Sequence, residues 1–103
     1  MKGKKVYISG AVSGLPFDEA QRVFATREAA LNHAGYEAVN PLRLSHERLG
    51  ADKTWEEYMA FDLLLLLECD MINFLDGWQN SQGARLELEV AKLRKIETLD
   101  GYE

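Results

Sequence analysis

The sequence has few of the features that mark secreted, membrane or nucleic-acid-binding chains. It contains one cysteine, Cys69, which excludes an internal disulfide and is typical of a reducing cytosol. The leucine run 63–67 is too short to span a bilayer, and no signal peptide is visible near Met1. Basic residues number 12 against 17 acidic ones, which argues against a binder of the nucleic-acid backbone. We therefore expect a cytoplasmic protein whose partners include neither a membrane nor a nucleic-acid polymer.

The length and the apolar content define the size of the fold. The chain has 103 residues, 47% of them hydrophobic and 28% charged, as in ordinary globular proteins. This is enough for one hydrophobic core, so residues 1–103 are predicted to form a single domain.

Strand and helix patterns alternate along the chain. Short apolar runs predict strands at 5–9, 36–39, 71–75 and 96–99, and helical spacing predicts helices at 17–34, from Thr54, and at 83–94. The segment 42–53 reads as a long irregular connection with room for one or two helical turns, and as a candidate binding loop. This order predicts an α/β fold: a three-layer sandwich around a four- or five-stranded parallel sheet, Rossmann- or flavodoxin-like.

Two acidic residues occupy unusual positions on the predicted helices. Glu87 falls between the two apolar stripes of its helix, where the sheet should lie, and Asp62 lies among leucines. A carboxylate facing a core is costly unless it is paired or used in chemistry. For Glu87, an internal hydrogen bond or a salt bridge, with Arg94 on the same side, is as good an interpretation as catalysis.

Further polar groups are predicted to lie at one edge of the sheet. The carboxyl ends of parallel strands meet at one edge, and the last helix begins there near Ser81 with unpaired N–H groups that favour an anion. With Tyr7, Asp62 and Glu87 as catalytic candidates, such a site suits cleavage of a glycosidic bond in a phosphorylated or sugar-bearing small molecule. The residues predicted to bind this substrate or its phosphate are Ser9, Gly10, Asn40, Ser81, Gly83 and Trp78.

The remaining candidate residues are the tryptophan, the cysteine and the histidines. Trp78 suits either stacking on a base or packing at a dimer contact. Cys69 is interpreted as a packed side chain, because neither His33 nor His46 is placed to activate it. The spacing of His, Cys and carboxylate residues matches no metal site, so we expect no metal and no cofactor.

Several of these residues resemble a known family. The motif Tyr7-Ile8-Ser9-Gly10, the acid Asp62 and the segment 81–87, SQGARLE, followed by Ala91 resemble the nucleoside 2-deoxyribosyltransferase superfamily, including its 2′-deoxynucleoside 5′-phosphate N-hydrolases. The chain also resembles the small DUF4406 proteins of phages and bacteria, through Gly77-Trp78 and the same segment 81–87. Arg85 and Glu89 depart from the superfamily pattern, which has a small residue and a glycine at those positions.

The resemblance implies a role for each matching residue. Glu87 would be the nucleophile that forms a covalent deoxyribosyl intermediate, Asp62 the acid that protonates the leaving base, and Tyr7 the group that orients Glu87. Ser81 matches a position that holds the 5′-phosphate in the hydrolases. Relatives form dimers, so we expect a homodimer or a higher homo-oligomer.

Three functions remain open at this point. The first is a nucleotide N-glycosidase or deoxyribosyltransferase-like enzyme acting on a (deoxy)nucleoside 5′-monophosphate. The second is a nucleotide-binding module without turnover. The third is a structural or partner-binding protein in which a buried ion pair holds Glu87.

Overall fold

The computed structural model describes residues 3–12 and 14–101. Its four strands are β1 (Lys5–Ser9), β2 (Glu37–Val39), β3 (Met71–Phe74) and β4 (Glu97–Thr98). Its four α-helices are α1 (Phe17–His33), α2 (Pro41–Leu49), α3 (Trp55–Leu67) and α4 (Gln82–Leu93), and a single 3₁₀ turn, Trp78–Asn80, precedes α4.

The strands form one fully parallel sheet in the order β2-β1-β3-β4. The chain leaves β1 towards β2 on one side and returns to place β3 on the other, so the strand order reverses beside β1. In open α/β sheets, ligands bind in the crevice at the carboxyl ends of the strands next to this reversal. The structure thus confirms the predicted fold class, a Rossmann- or flavodoxin-like three-layer fold, with four strands in the described residues.

Side-chain alternation along β1 separates the two halves of the core. Val6 and Ile8 face α1 and pack with its buried residues Phe24 and Leu31. Tyr7 faces the opposite layer, where α3 and α4 contribute Leu66 and Ala91. The core-facing side of α4 therefore meets the odd-numbered side chains of β1.

The connection 42–53 differs from the sequence prediction, because most of it is helical. α2 begins at Pro41, and the Asn40 side chain accepts a hydrogen bond from the Arg43 backbone N–H at 3.1 Å. The Arg43 guanidinium also pairs with Glu28 of α1, at 2.7 Å, which ties the helix to its neighbour. The apolar pattern of this segment is weak, so its helical structure depends on a cap and on a tertiary ion pair. Only residues 50–54 remain as a connection to α3.

The other helix boundaries agree with their sequence signals. α3 begins after Thr54, as predicted, and Thr54 and Glu57 form a capping box there. Gly35, at φ +99°, follows α1 and adopts a backbone conformation that favours glycine. Within the described residues, no helix is both long enough and apolar enough to cross a membrane.

Candidate functional site

A cavity of about 720 Å³ opens at the carboxyl end of β1. Its floor includes Tyr7, Ile8 and Gly10, and its walls come from all four α-helices. The cavity lies at the position that the strand order predicts for a ligand. It contains three of the sequence-predicted catalytic residues: Tyr7, Asp62 and Glu87.

Glu87 is held in the cavity wall by two hydroxyl groups of β1. The carboxylate is only 5% exposed, and both of its oxygens are occupied. The Tyr7 hydroxyl donates to Oε2, and the Ser9 hydroxyl donates to Oε1 at 2.6 Å. Among the described residues, no basic side chain lies within 4 Å of this carboxylate, and Arg94 is exposed. Glu87 is therefore held by internal hydrogen bonds, and the alternative ion pair with Arg94 does not form among the described residues.

Two features of the surroundings shift the pKa of Glu87 in opposite directions. Burial raises the pKa of Glu87, and the hydrogen bonds from Ser9 and Tyr7 lower it. Tyr7 is fully buried, and its pKa is raised well above its ordinary value by that burial and by the neighbouring Glu87 charge. Tyr7 therefore remains a hydrogen-bond donor at any pH near neutrality, and its bond favours the ionised form of Glu87.

Asp62 of α3 has a different environment. Burial, followed by the nearby Glu87 charge, raises its pKa to about 8. Its Oδ1 atom is buried and has no hydrogen-bond partner among the described residues. Asp62 is therefore protonated at neutral pH and faces the same cavity as Glu87. Two carboxyl groups in different environments, one hydrogen-bonded by hydroxyl donors and one without a donor, are the pattern expected of an acid and a base or nucleophile.

The first turn of α4 forms another part of the wall. The Ser81 hydroxyl oxygen accepts from the Ala84 N–H at 3.1 Å and so caps the helix. The N–H groups of Gln82 and Gly83 have no acceptor within the helix, and both residues line the cavity with Ser81. A Cβ atom on Gly83 would lie 3.1 Å from the Met59 sulfur, so glycine allows α4 to start close to α3. This wall can accept an anionic or hydroxyl group of a ligand.

Gly10 is required by the close approach of two strand ends. A Cβ atom at this position would lie 2.7 Å from the Cδ1 atom of Leu75. The glycine therefore forms part of the cavity floor for a packing reason, and it also leaves the backbone accessible to a ligand.

Asn40 and Trp78, which the sequence predicts to bind the substrate, do not line this cavity. Asn40 is buried, caps α2 and donates to Glu28 at 3.1 Å. Trp78 packs on Phe74, with ring centroids 4.5 Å apart, beside a smaller cavity of about 350 Å³. The predicted roles of Trp78 in base stacking or at a dimer contact stay predictions. Sequence spacing places a residue near a sheet edge but does not say which way its side chain turns.

An aromatic wall was missed by the sequence analysis. Trp55 and Tyr58 of α3 line the cavity on the same side of the helix as Asp62, and Phe17 and His46 form part of its rim. The rings of Phe17 and His46 lie 5.1 Å apart. The helical spacing of Trp55, Tyr58 and Asp62 was visible in the sequence and could have identified this wall.

The remaining reactive groups lie away from the site. Cys69 is buried, its pKa is raised to about 12 by that burial, and its thiol donates to the Leu65 carbonyl at 3.3 Å. Among residues 3–12 and 14–101, no cluster of three or more His, Cys, Asp or Glu side chains could hold a metal ion.

The fold and the cavity define a class: a parallel α/β protein with a carboxylate-containing cavity beside the strand-order reversal. The family comparison gives a more specific assignment. A model described as "Domain of unknown function (DUF4406)" matches residues 4–100, so the chain belongs to the DUF4406 family. No curated protein matches the chain.

Proposed function

We propose that the protein is a nucleotide N-glycosidase, or a related deoxyribosyltransferase, that cleaves the base–sugar bond of a (deoxy)nucleoside 5′-monophosphate. One observation carries the proposal: Glu87, which accepts hydrogen bonds from two hydroxyl groups, and Asp62, whose raised pKa favours its protonated form, line the same cavity. Retaining glycoside chemistry needs this pair, one group as nucleophile and the other as acid.

In the first step, a Glu87 oxygen attacks the anomeric carbon of the sugar. The bond from this carbon to the base nitrogen breaks, and its electron pair goes to the base. Asp62 donates its proton to the departing base and becomes a carboxylate. The hydroxyls of Tyr7 and Ser9 hold Glu87 in one orientation, which reduces the entropy lost on reaching the transition state.

In the second step, water or an acceptor base attacks the same carbon. The bond to Glu87 breaks and restores the carboxylate, and Asp62 takes the proton of the incoming group. Charge and protons are then as they were before the reaction. Water as acceptor gives a hydrolase, and a second base gives a transferase.

The first turn of α4 suits the 5′ end of the substrate. It offers the N–H groups of Gln82 and Gly83 and the positive end of the helix dipole. The Ser81 hydroxyl, which accepts from Ala84, can still donate to a phosphate oxygen. The resemblance of segment 81–87 to the 5′-phosphate N-hydrolases supports the same assignment.

Base release is the test of this proposal. The protein is incubated with deoxynucleosides, deoxynucleoside 5′-monophosphates and ribonucleoside counterparts, and free base is measured by chromatography. We expect release by the wild type and a loss of about 10³-fold or more in Glu87→Gln, which keeps the shape but removes the nucleophile. Glu89→Gln is the matched control, because Glu89 lies two residues away on the exposed side of α4.

The outcomes separate the three functions. Release that is equal in Glu87→Gln and the wild type would contradict the proposed role of Glu87. Nucleotide binding without release from any substrate, with an acceptor base present, would favour the binding module. The partner-binding alternative required an ion pair at Glu87, and the described residues contain none.

A further inference from the structure

Acidic side chains outnumber basic ones in the cavity wall. Of the described residues that line it, none is a lysine or an arginine, and two are acidic, Asp62 and Glu87. A ligand with an anionic ring would meet two carboxyl groups there and no cation. Positive potential comes from helix N-termini, among them the start of α4 at Ser81.

The wall formed by α3 combines a carboxyl group with aromatic faces. Trp55, Tyr58 and Asp62 share one side of this helix and all line the cavity. Phe17 and His46 add rings at the rim. Aromatic faces next to a carboxylate attract flat organic cations, through the ring quadrupole and through charge.

The unpartnered atom of Asp62 points to the same kind of ligand. Its Oδ1 is buried without a hydrogen-bond donor among the described residues, so the apo site leaves an acceptor unsatisfied. A buried unsatisfied acceptor is costly, and a cationic ring or its N–H group would relieve that cost.

We propose that the ring attached to the sugar is positively charged before cleavage, so that the substrate class is an N-glycoside of a cationic heteroaromatic base. This inference rests on the proposed function and specifies its leaving group. The cationic ring would lie along the α3 wall, and the sugar's 5′ end at the start of α4.

A cationic base changes the role of Asp62 in bond cleavage. When Glu87 attacks the anomeric carbon, the electron pair of the broken bond neutralises the ring, which leaves as a neutral base without needing a proton. Asp62, which is protonated in the free protein, releases its proton to solvent when the cationic ring binds, and then acts as a carboxylate that holds the ring. Water attacks the sugar carbon in the second step, the bond to Glu87 breaks, and the water proton passes to Asp62 or to solvent.

The first arm of the test compares two fragments that cannot be cleaved. These are 1-methylnicotinamide, a flat cation, and nicotinamide, its neutral counterpart. Their dissociation constants are measured by calorimetry or NMR titration with the wild-type chain. We expect the cation to bind about tenfold more tightly, since a desolvated cation gains both ring and carboxylate contacts.

Variants locate this preference. Asp62→Asn should reduce the preference for the cationic fragment to about twofold or less. Trp55→Leu should also reduce this preference, and it changes a residue that is not buried. Asp52→Asn is the control, because Asp52 is an exposed acid near the start of α3 that does not line the cavity. Equal binding of the two fragments, or a preference that survives Asp62→Asn, would overturn the inference.

The second arm measures base release from nicotinamide mononucleotide, which is cationic at the ring, and from its neutral 1,4-dihydro form. Faster Glu87-dependent release from the cationic member, together with the fragment preference, supports the inference. Glu87-dependent release from neutral nucleotides, with no preference for the cation, overturns the inference and leaves the proposed function standing. No release from any N-glycoside overturns the proposed function and the leaving-group assignment with it.

Discussion

At the scale of single residues, the two buried acids owe their behaviour to different neighbours. Glu87 accepts two hydroxyl hydrogen bonds that favour its ionised form, whereas Asp62 has an acceptor atom with none among the described residues. The same cavity therefore contains one carboxyl group that hydroxyl donors stabilise in its ionised form and one carboxyl group that has no such donor. Hydrogen bonding distinguishes the two groups, since burial raises the pKa of both.

Asp62 should make the protein less stable as the pH rises. Its pKa in the folded chain is about 8, against 3.8 when unperturbed, so the folded state binds more protons between these values and unfolding becomes easier with increasing pH. Asp62→Asn should remove this dependence and stabilise the protein at pH 9 by about 2 kcal/mol, allowing for the partial solvent access of the site. Urea unfolding at pH 5, 7 and 9 measures the difference.

Other groups that face Asp62 also titrate, so the comparison must be between variants. Glu87 on α4 has a raised pKa and contributes in the same direction, and Tyr7 on β1 stays protonated through this range. The Asp62→Asn variant should therefore retain the part of the wild-type pH dependence that comes from Glu87. A mutant whose stability falls between pH 5 and 9 as steeply as that of the wild type would contradict the assignment.

Ser9 should tune the pH dependence of catalysis through Glu87. Its hydroxyl lowers the pKa of Glu87 against the effect of burial, so Ser9→Ala should move the acidic limb of the pH–rate profile to higher pH. Activity at neutral pH should fall about tenfold, since a hydrogen bond to a charged group is lost.

Base release measured from pH 4 to 9 would show both effects of Ser9→Ala. Ser9→Thr, which keeps the hydroxyl, should restore the position of the acidic limb. A lower rate with an unmoved limb would mean that Ser9 only supports the local packing.

At the scale of elements, the start of each helix determines what the cavity walls present. Ser81 caps α4 with its side chain, Thr54 caps α3, and Asn40 caps α2. Only Ser81 of the three lines the cavity, so only this cap can also contact a ligand. The caps of α2 and α3 instead hold the aromatic rim and the α3 wall in place.

Asn40→Ala separates a structural role from a binding role. It removes the cap of α2 and the hydrogen bond to Glu28, and should lower the free energy of unfolding by about 1–2 kcal/mol. Affinity for nucleotides should change less than threefold, because Asn40 does not line the cavity. Thermal denaturation and nucleotide titration, with Thr54→Ala as a second cap variant, measure the two quantities. A much larger loss of nucleotide affinity than in Thr54→Ala would restore the original assignment of Asn40 to the site.

At the scale of the whole molecule, the two outer layers differ in character. The layer of α3 and α4 exposes large apolar side chains, with Leu64 65% and Leu93 82% exposed. Exposed leucines concentrated on one layer are typical of an interface, and dimers are what the resemblance implies.

We therefore expect a homodimer in solution. Sedimentation should give twice the mass of one chain, and the double variant Leu64→Glu with Leu93→Glu should give one chain mass at the same concentration. Val23→Glu on α1, in the opposite layer, is the matched control and should leave the dimer intact. A monomeric wild type would contradict the expectation, and dissociation by Val23→Glu would place the interface elsewhere.

The sequence by itself determined the order of the elements, the parallel sheet, the start of α3 at Thr54, and the position of Glu87 facing the sheet. These follow from local periodicity and short-range capping, which involve residues only a few positions apart. Only the tertiary structure decided that Ser9 joins Tyr7 in holding Glu87, that Asn40 caps a helix, that Trp78 packs on Phe74, and that α3 supplies an aromatic wall. Ser9 and Glu87 are 78 residues apart, and such contacts depend on strand order and on side-chain direction, which no local pattern records.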